Sequence, residues 1–261
     1  MKAKTAEPQR SHRPTRLFGR RALSNIYSTE YIVKEYNLTT PVSATVAQAP
    51  PRGRTIAWAN HYDLVTRILS LGRVGALREQ TMQRAGPQPG ERVLDVGCGT
   101  GRLTHLARRR VGEAGVVYGI DASPKMIAVA RAKAAQEGLA VDFRVGLIEA
   151  LDFPDQSLDV VLSNVMFHHL PDDLQEQGLA EIFRVLKPGG RLLVVDLQRP
   201  MGFIGHVQMT LFAHGALING VEALPRRMRP LGFEAIEQGR LAVGPIGYVL
   251  GRRALTAEHR S

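Results

Sequence analysis

The chain has 261 residues, 44% hydrophobic and 22% charged, ordinary globular usage that excludes a wholly disordered or collagen-like chain. At about 150 residues per domain this is one sizeable core plus an extension, and the single cysteine, Cys98, excludes an intramolecular disulfide or a multi-cysteine zinc site. The net charge of +10 sits mostly in residues 1–55, which hold ten Lys/Arg against three Glu, while the rest of the chain holds 24 basic against 21 acidic residues. Basicity is thus a property of the tail. Residues 1–55 read as a disordered extension, solvated or drawn to an anionic membrane surface, and nucleic acid is not an expected partner. The tail is acid-poor, as transit peptides are, but lacks the apolar core of a secretory signal. A cytoplasmic location is expected, with a peripheral membrane contact and organelle targeting left open. Oligomeric state is not legible.

Order is expected from residue 56. Apolar residues recur at helical spacing over 55–69, and Gly86-Pro87-Gln88-Pro89-Gly90 breaks that pattern, giving a helical cap over 56–90. Short apolar runs then alternate with amphipathic helices, the sign of a parallel sheet covered on both faces. Strands are predicted at 93–96, 116–120, 141–145, 159–163 and 192–195, within a core over 91–199. Arg108-Arg109-Arg110 close the first helix and are expected to face solvent. Ser123 reads as the cap of the second helix with Pro124 at its first position, and Gly138 ends it. Lys187-Pro188-Gly189-Gly190 is expected to close the helix before strand five. A helical insertion over 200–232 and two last strands, at 233–237 and 246–250, complete an α/β, doubly wound, mostly parallel seven-stranded sheet. Those two strands and a C-terminal tail occupy 233–261.

The most informative stretch is Val93-Leu94-Asp95-Val96-Gly97-Cys98-Gly99-Thr100-Gly101-Arg102-Leu103. A strand runs into glycines at alternate positions and then a helix, an arrangement in which backbone can approach a ligand and the helix start offers N–H groups to an anion. A dinucleotide site would need a third glycine, for close helix–strand packing, where Arg102 stands. Asp95 lies just ahead of the loop, where it could face a cationic amino group. Asp121 ends the next strand, where a carboxylate can accept both hydroxyls of a ribose.

With these residues the chain resembles the class I S-adenosylmethionine-dependent methyltransferases, most closely the small-molecule branch of the ubiquinone/menaquinone-biosynthesis enzymes. The likeness covers roughly residues 62–233. It includes Leu151-Asp152-Phe153-Pro154-Asp155-Gln156-Ser157-Leu158-Asp159 ahead of strand four. It also includes Glu181-Ile182-Phe183-Arg184-Val185-Leu186-Lys187-Pro188-Gly189-Gly190 ahead of strand five. The resemblance implies that S-adenosylmethionine is the cofactor. It implies that Asp95, Gly97, Cys98, Gly99 and Gly101 hold its methionine part, that Asp121 holds the ribose, and that Ala122 and Met126 line the ribose or adenine. Asn164 and Val165 would close over the sulfonium. One departure stands out: Leu147 occupies the position of an adenine-binding aspartate, so the backbone of Leu147 and Ile148 would read the base, or about 1 kcal/mol of contact is lost. Cys98 is read as a small loop residue rather than a nucleophile.

Four acceptor classes are excluded by what the chain lacks. After strand four stands Asn164-Val165-Met166-Phe167, not the Asn/Asp-Pro-Pro-Tyr/Phe of base-amino DNA methyltransferases. The lone cysteine lies in the cofactor loop, unlike the nucleophile of a cytosine-carbon enzyme. No glutamate pair of the arginine-methyltransferase kind follows strand four, and Asp196-Leu197 replaces the Asp-Asn of metal-dependent catechol enzymes. A small apolar acceptor remains: a quinone precursor, polyketide, terpenoid or lipid amine. No metal is expected. Residues 200–221 carry no formal charge and are rich in large apolar side chains, read as a core helix or as an apolar lid over the substrate; His206, Thr210 and His214 form a polar stripe on it. His169, with His168 beside it, follows strand four where the reacting methyl is expected, and is the candidate base. Two other functions stay open: a cofactor-binding protein without turnover, and an RNA methyltransferase.

Overall fold

The computed structural model describes residues 73–198, 220–242 and 245–255. The tail, the helical pattern over 55–69 and most of the predicted lid, with His206, Thr210 and His214, lie outside the described residues.

Helix α1 (Val74–Ala85) ends where the Gly-Pro stretch predicts. Gly86 takes a left-handed conformation (φ 52°) and its N–H closes on Met82 O. Strands β1 (Arg92–Val96), β2 (Val116–Asp121), β3 (Asp142–Val145), β4 (Leu158–Asn164) and β5 (Leu186–Leu197) run parallel. Helices α2 (Arg102–Val111), α3 (Pro124–Gln136) and α4 (Asp172–Val185) follow β1, β2 and β4. A short helix α5 (Leu224–Met228) precedes β6 (Phe233–Arg240) and β7 (Ile246–Arg253), and β7 pairs antiparallel with both β5 and β6. The sheet order is β3-β2-β1-β4-β5-β7-β6.

Two cores form because successive residues of each strand point to opposite faces. Val93, Leu162 and Val195 pack under α1 and α2 with Leu77, Leu103 and Ala107. Leu94, Val161 and Val194 pack under α4 and α5 with Leu179, Ile182 and Met228. Arginines hold the helix ends to the sheet. Arg191 Nε and Nη2 donate to Ala85 O (2.6 Å) and Gly86 O (2.7 Å) at the end of α1, and Arg253 Nη1 donates to the carbonyls of Phe183, Arg184 and Leu186 at the end of α4. The order reverses between β1 and β4, and the crevice outside their carboxyl ends is where such sheets bind ligands.

One expectation is corrected and two are filled in. Strand five begins at Leu186, so Lys187-Pro188-Gly189-Gly190 is strand rather than loop. Gly190 makes this passage feasible, since a Cβ there would stand 2.8 Å from Lys187 O and 3.1 Å from Asp159 O. Of the arginines ending α2, Arg109 and Arg110 face solvent as expected and Arg108 is half-buried, and all three have partners. Arg108 donates to Gly112 O and Gly115 O, Arg109 pairs with Glu137, and Arg110 pairs with Glu79. Finally, the described end of the predicted helical insertion is built of short pieces. It is two short 3-10 turns, Val221–Ala223 and Arg229–Leu231, flanking α5, with prolines at 225 and 230 limiting each stretch.

Candidate active site

The glycine loop leaves β1 at the crevice, and its three glycines answer to three different neighbours. A Cβ on Gly97 (φ 71°) would stand 2.4 Å from Met166 Cγ, and one on Gly101 (φ 79°) would stand 2.7 Å from Phe143 Cζ and 3.1 Å from Ala130 Cβ. Gly101 therefore supplies the close helix–strand packing sought at Arg102. Only a Cβ on Gly99 (φ 54°) would enter open space, so this is the glycine past which a ligand can lie.

The N–H groups of Gly97, Cys98, Gly99 and Gly101 turn inward, ahead of the helix start where donors for an anion are expected. Gly97 N and Cys98 N donate to Ile120 O at 2.8 and 2.9 Å, Gly101 N to Cys98 O at 3.0 Å, and Gly99 N to Asp121 Oδ2 at 2.9 Å. Glycine-loop donors used in this way suit a ligand without phosphate. The Cys98 side chain is buried beside Ile127, Ala130 and Phe143, and burial pushes its thiol well above the usual range. What Cys98 offers the crevice is backbone, not a thiolate.

The sheet register puts three polar side chains on one face at the strand ends. Asp95 is level with Gly119 and with Leu162, and Asp121 and Asn164 lie two residues beyond those partners. Asp95 is 1% exposed, and Thr104 Oγ1 donates to its Oδ2 at 2.6 Å. Burial pushes this carboxyl up to about 7, with the Asp121 charge adding to the rise, while the Thr104 bond and the Arg78 charge oppose it. Asp121 accepts from Gly99 N through Oδ2 and from Ser123 N (2.8 Å) through Oδ1. Each oxygen keeps a second acceptor site for a hydroxyl. Burial also raises the Asp121 carboxyl. Asn164 Oδ1 is buried and has no hydrogen-bond partner among the described residues, a cost that a ligand donor would relieve. A buried acid, a half-buried acid, an orphaned acceptor and an open glycine fit a ligand with a cationic amino group and vicinal hydroxyls.

Around this centre, Ala122 is half-buried, Met126 is buried at the start of α3, and Leu147 is half-buried beyond β3. The Ile148 side chain packs into the core, where a Cβ on Gly178 would lie 2.7 Å from it. Only the Ile148 backbone can face a ligand. Val165 turns the chain out of β4 with φ 55°, an outlier for a β-branched residue, and its N–H is held by Val195 O at 2.7 Å.

That bend leads to a 3-10 turn, Phe167–His169. His168 Nδ1 lies 2.6 Å from Asp196 Oδ1, and His168 N donates to Asp196 Oδ2 at 3.0 Å. His169 N donates to Met166 O, and its ring lies 3.9 Å from the His168 ring. The carboxylate thus orients His168, the second of the two histidines in the sequence reading, rather than His169. Asp196, Thr104 and Arg78 were missed as site residues. An acid ending a strand at the crevice was the only signal for Asp196. Among the described residues no group of His, Cys, Asp and Glu could hold a metal ion, and no helix is long and apolar enough to cross a membrane.

Residues 93–190 match the family described as a methyltransferase domain. A demethylmenaquinone methyltransferase of Thermus thermophilus is 38% identical over 168 residues, 62% of this chain and 75% of that relative. A ubiquinone/menaquinone biosynthesis C-methyltransferase of Hydrogenovibrio crunogenus is 34% identical over 143 residues, 54% of this chain and 56% of that relative. The crystal structure of an S-adenosylmethionine-dependent methyltransferase from Aquifex aeolicus aligns with a TM-score of 0.53 at 25% identity, covering 67% of this chain and 88% of that one.

Proposed function

Because this chain belongs to the S-adenosylmethionine-dependent methyltransferases, in the branch of the quinone-biosynthesis enzymes, we propose that its acceptor is an apolar hydroxylated aromatic of the quinol class, methylated at a ring carbon. Bound S-adenosylmethionine supplies a methyl group on a sulfonium, whose leaving group is a neutral thioether and needs no proton. The chain's own work is therefore to hold donor and acceptor in line and to manage the acceptor's proton.

In this reading Asp121 takes the ribose hydroxyls and Asp95 faces the cationic amino end, with Gly99 leaving the path between them clear. Backbone of Gly97, Cys98 and Gly101 shapes the loop. Ala122 and Met126 flank the nucleoside, and backbone at Leu147 and Ile148 reads the adenine where the usual aspartate is replaced. Asn164 and Val165 border the sulfonium.

His168 carries the acceptor chemistry. Asp196 fixes its ring through Nδ1, which leaves Nε2 to accept a proton. Removing the hydroxyl proton of a quinol places electron density on the ring carbon, which attacks the methyl. The ring proton then leaves to restore aromaticity as oxygen is reprotonated, so one proton is released overall. The His169 ring lies tilted against the His168 ring. The uncharged segment 200–221 supports an apolar acceptor, with His206, Thr210 and His214 as polar contacts, and the basic tail supports a peripheral contact with an anionic membrane where such acceptors reside.

The observation that carries the proposal is the His168–Asp196 pair at the crevice of a chain 38% identical to a demethylmenaquinone methyltransferase. Labelled cofactor with a panel of quinols, phenols, amines and RNA tests it. Transfer to a short-chain demethylmenaquinol, and not to amines or RNA, is expected; preferred transfer to an amine or to RNA contradicts it.

A further inference from the structure

We infer that Gln175 and Arg227 are positioning residues for His168, a reading that rests on His168 acting as the base. Gln175 lies in the first turns of α4 and is 4% exposed. Its Nε2 donates to Phe167 O at 3.1 Å and to Leu170 O at 3.0 Å, the carbonyls on either side of the two histidines. Its Oε1 accepts from Arg227 Nη1 at 2.6 Å. An arginine can only donate, so Arg227 fixes which end of the amide faces it and turns the NH2 group onto the turn. Arg227 is itself held by Asp172 at 2.9 Å and stands on α5, whose Leu224 and Met228 are buried in the core.

The turn is thereby fixed from two sides. Asp196 on β5 holds the His168 ring and N–H, while Gln175 on α4 holds the carbonyls that bracket it. An apolar residue would fill the site of Gln175 without burying an amide, and a residue that served only to join α4 to α5 would need the Arg227 contact alone. The two bonds to the turn are what the glutamine adds. The charged and titratable groups around the turn are Asp196, His169, Asp172, Asp173, Glu176 and Arg227. These hydrogen bonds and ion pairs of Gln175 and Arg227 run to the turn, to each other and to α4, not to the residues of the cofactor crevice.

Gln175→Glu separates the two roles. A glutamate keeps, and strengthens, the pair with Arg227 but has no donor for Phe167 O and Leu170 O. With short-chain demethylmenaquinol as acceptor, Gln175→Glu, Gln175→Leu and Arg227→Met should each lower kcat at least about tenfold. Cofactor Kd should stay within about twofold, and Arg227→Lys should recover part of the loss. The low-field proton resonance of the His168–Asp196 hydrogen bond, read without acceptor, should shift or broaden in the same variants. In a His168→Ala background none of them should lower kcat further. Wild-type kcat and an unmoved resonance in folded Gln175→Glu overturn the positioning role while leaving His168 as base. Wild-type kcat in His168→Ala itself overturns the base, and the positioning role with it.

Discussion

Gly97 and Met166 touch so closely that a Cβ on the glycine would stand 2.4 Å from Met166 Cγ. This contact ties the cofactor loop after β1 to the turn after β4 that carries His168, so the two halves of the site are set by one packing surface. Gly97→Ala meets both that clash and a left-handed backbone, whereas Gly99→Ala meets only the backbone, at roughly 1–2 kcal/mol. Thermal melts should therefore rank wild type above Gly99→Ala and Gly99→Ala above Gly97→Ala. Gly99→Ala should still lose cofactor affinity, because its methyl occupies the ligand's path. A Gly97→Ala protein as stable as wild type would mean that the two turns are not packed as described.

Asp95 links cofactor binding to pH. Its carboxyl is raised to about 7 in the folded chain, chiefly by burial. Between about pH 4 and 7 the folded state holds a proton that the unfolded state has released, so stability without cofactor falls as pH rises through this window and is level above it. A cationic amino group binds the ionised form, so cofactor affinity should rise across the upper part of the same window. Calorimetric titrations from pH 5.5 to 8.5, flanking that value, check this, with proton release on binding below about pH 7. Asp95→Asn should abolish both the pH dependence of affinity and the loss of stability.

The base and its orienting acid should separate from cofactor binding. His168→Ala should lower turnover at least about a hundredfold, and Asp196→Asn at least about tenfold through the wrong tautomer or orientation. Both should leave cofactor Kd within about twofold. His169→Ala should cost less than His168→Ala, and the reverse order, read by steady-state kinetics, would assign the base to His169.

Cys98 should be inert. Its thiol is buried and pushed well above the usual range, so an alkylating reagent should label the folded protein slowly and the unfolded chain at once. Rapid labelling of the folded protein would place Cys98 in an open crevice.

The parts of this molecule carried by local pattern were legible before the structure. The central strands β1, β2, β4 and β5 carry short apolar runs, and Asp95 and Asp121 stand where a strand meets a loop, so both could be named from position. What was not legible is tertiary. Gly97 and Gly101 look alike in sequence, yet one is glycine because of Met166 and the other because of Phe143. His168 and His169 are adjacent and indistinguishable until Asp196, 28 residues on, meets one of them. Arg227 reaches Gln175 across 52 residues, a separation that no local pattern bridges. Pro188 and two glycines signal a turn, so the sequence pattern starts strand five at 192 rather than at Leu186, and only the crowding around Gly190 shows why they serve a strand.

The most direct test of the central claim follows the methyl carbon itself. The wild-type protein and Asp121→Ala are incubated with cofactor carrying a 13C methyl and a short-chain demethylmenaquinol, and the product is read by carbon NMR. The account predicts a new aryl C-methyl resonance with wild type, and at least about tenfold less of it at limiting cofactor with Asp121→Ala, which loses charged acceptors for two hydroxyls. A methyl resonance on oxygen or nitrogen, or undiminished transfer by Asp121→Ala, would contradict it.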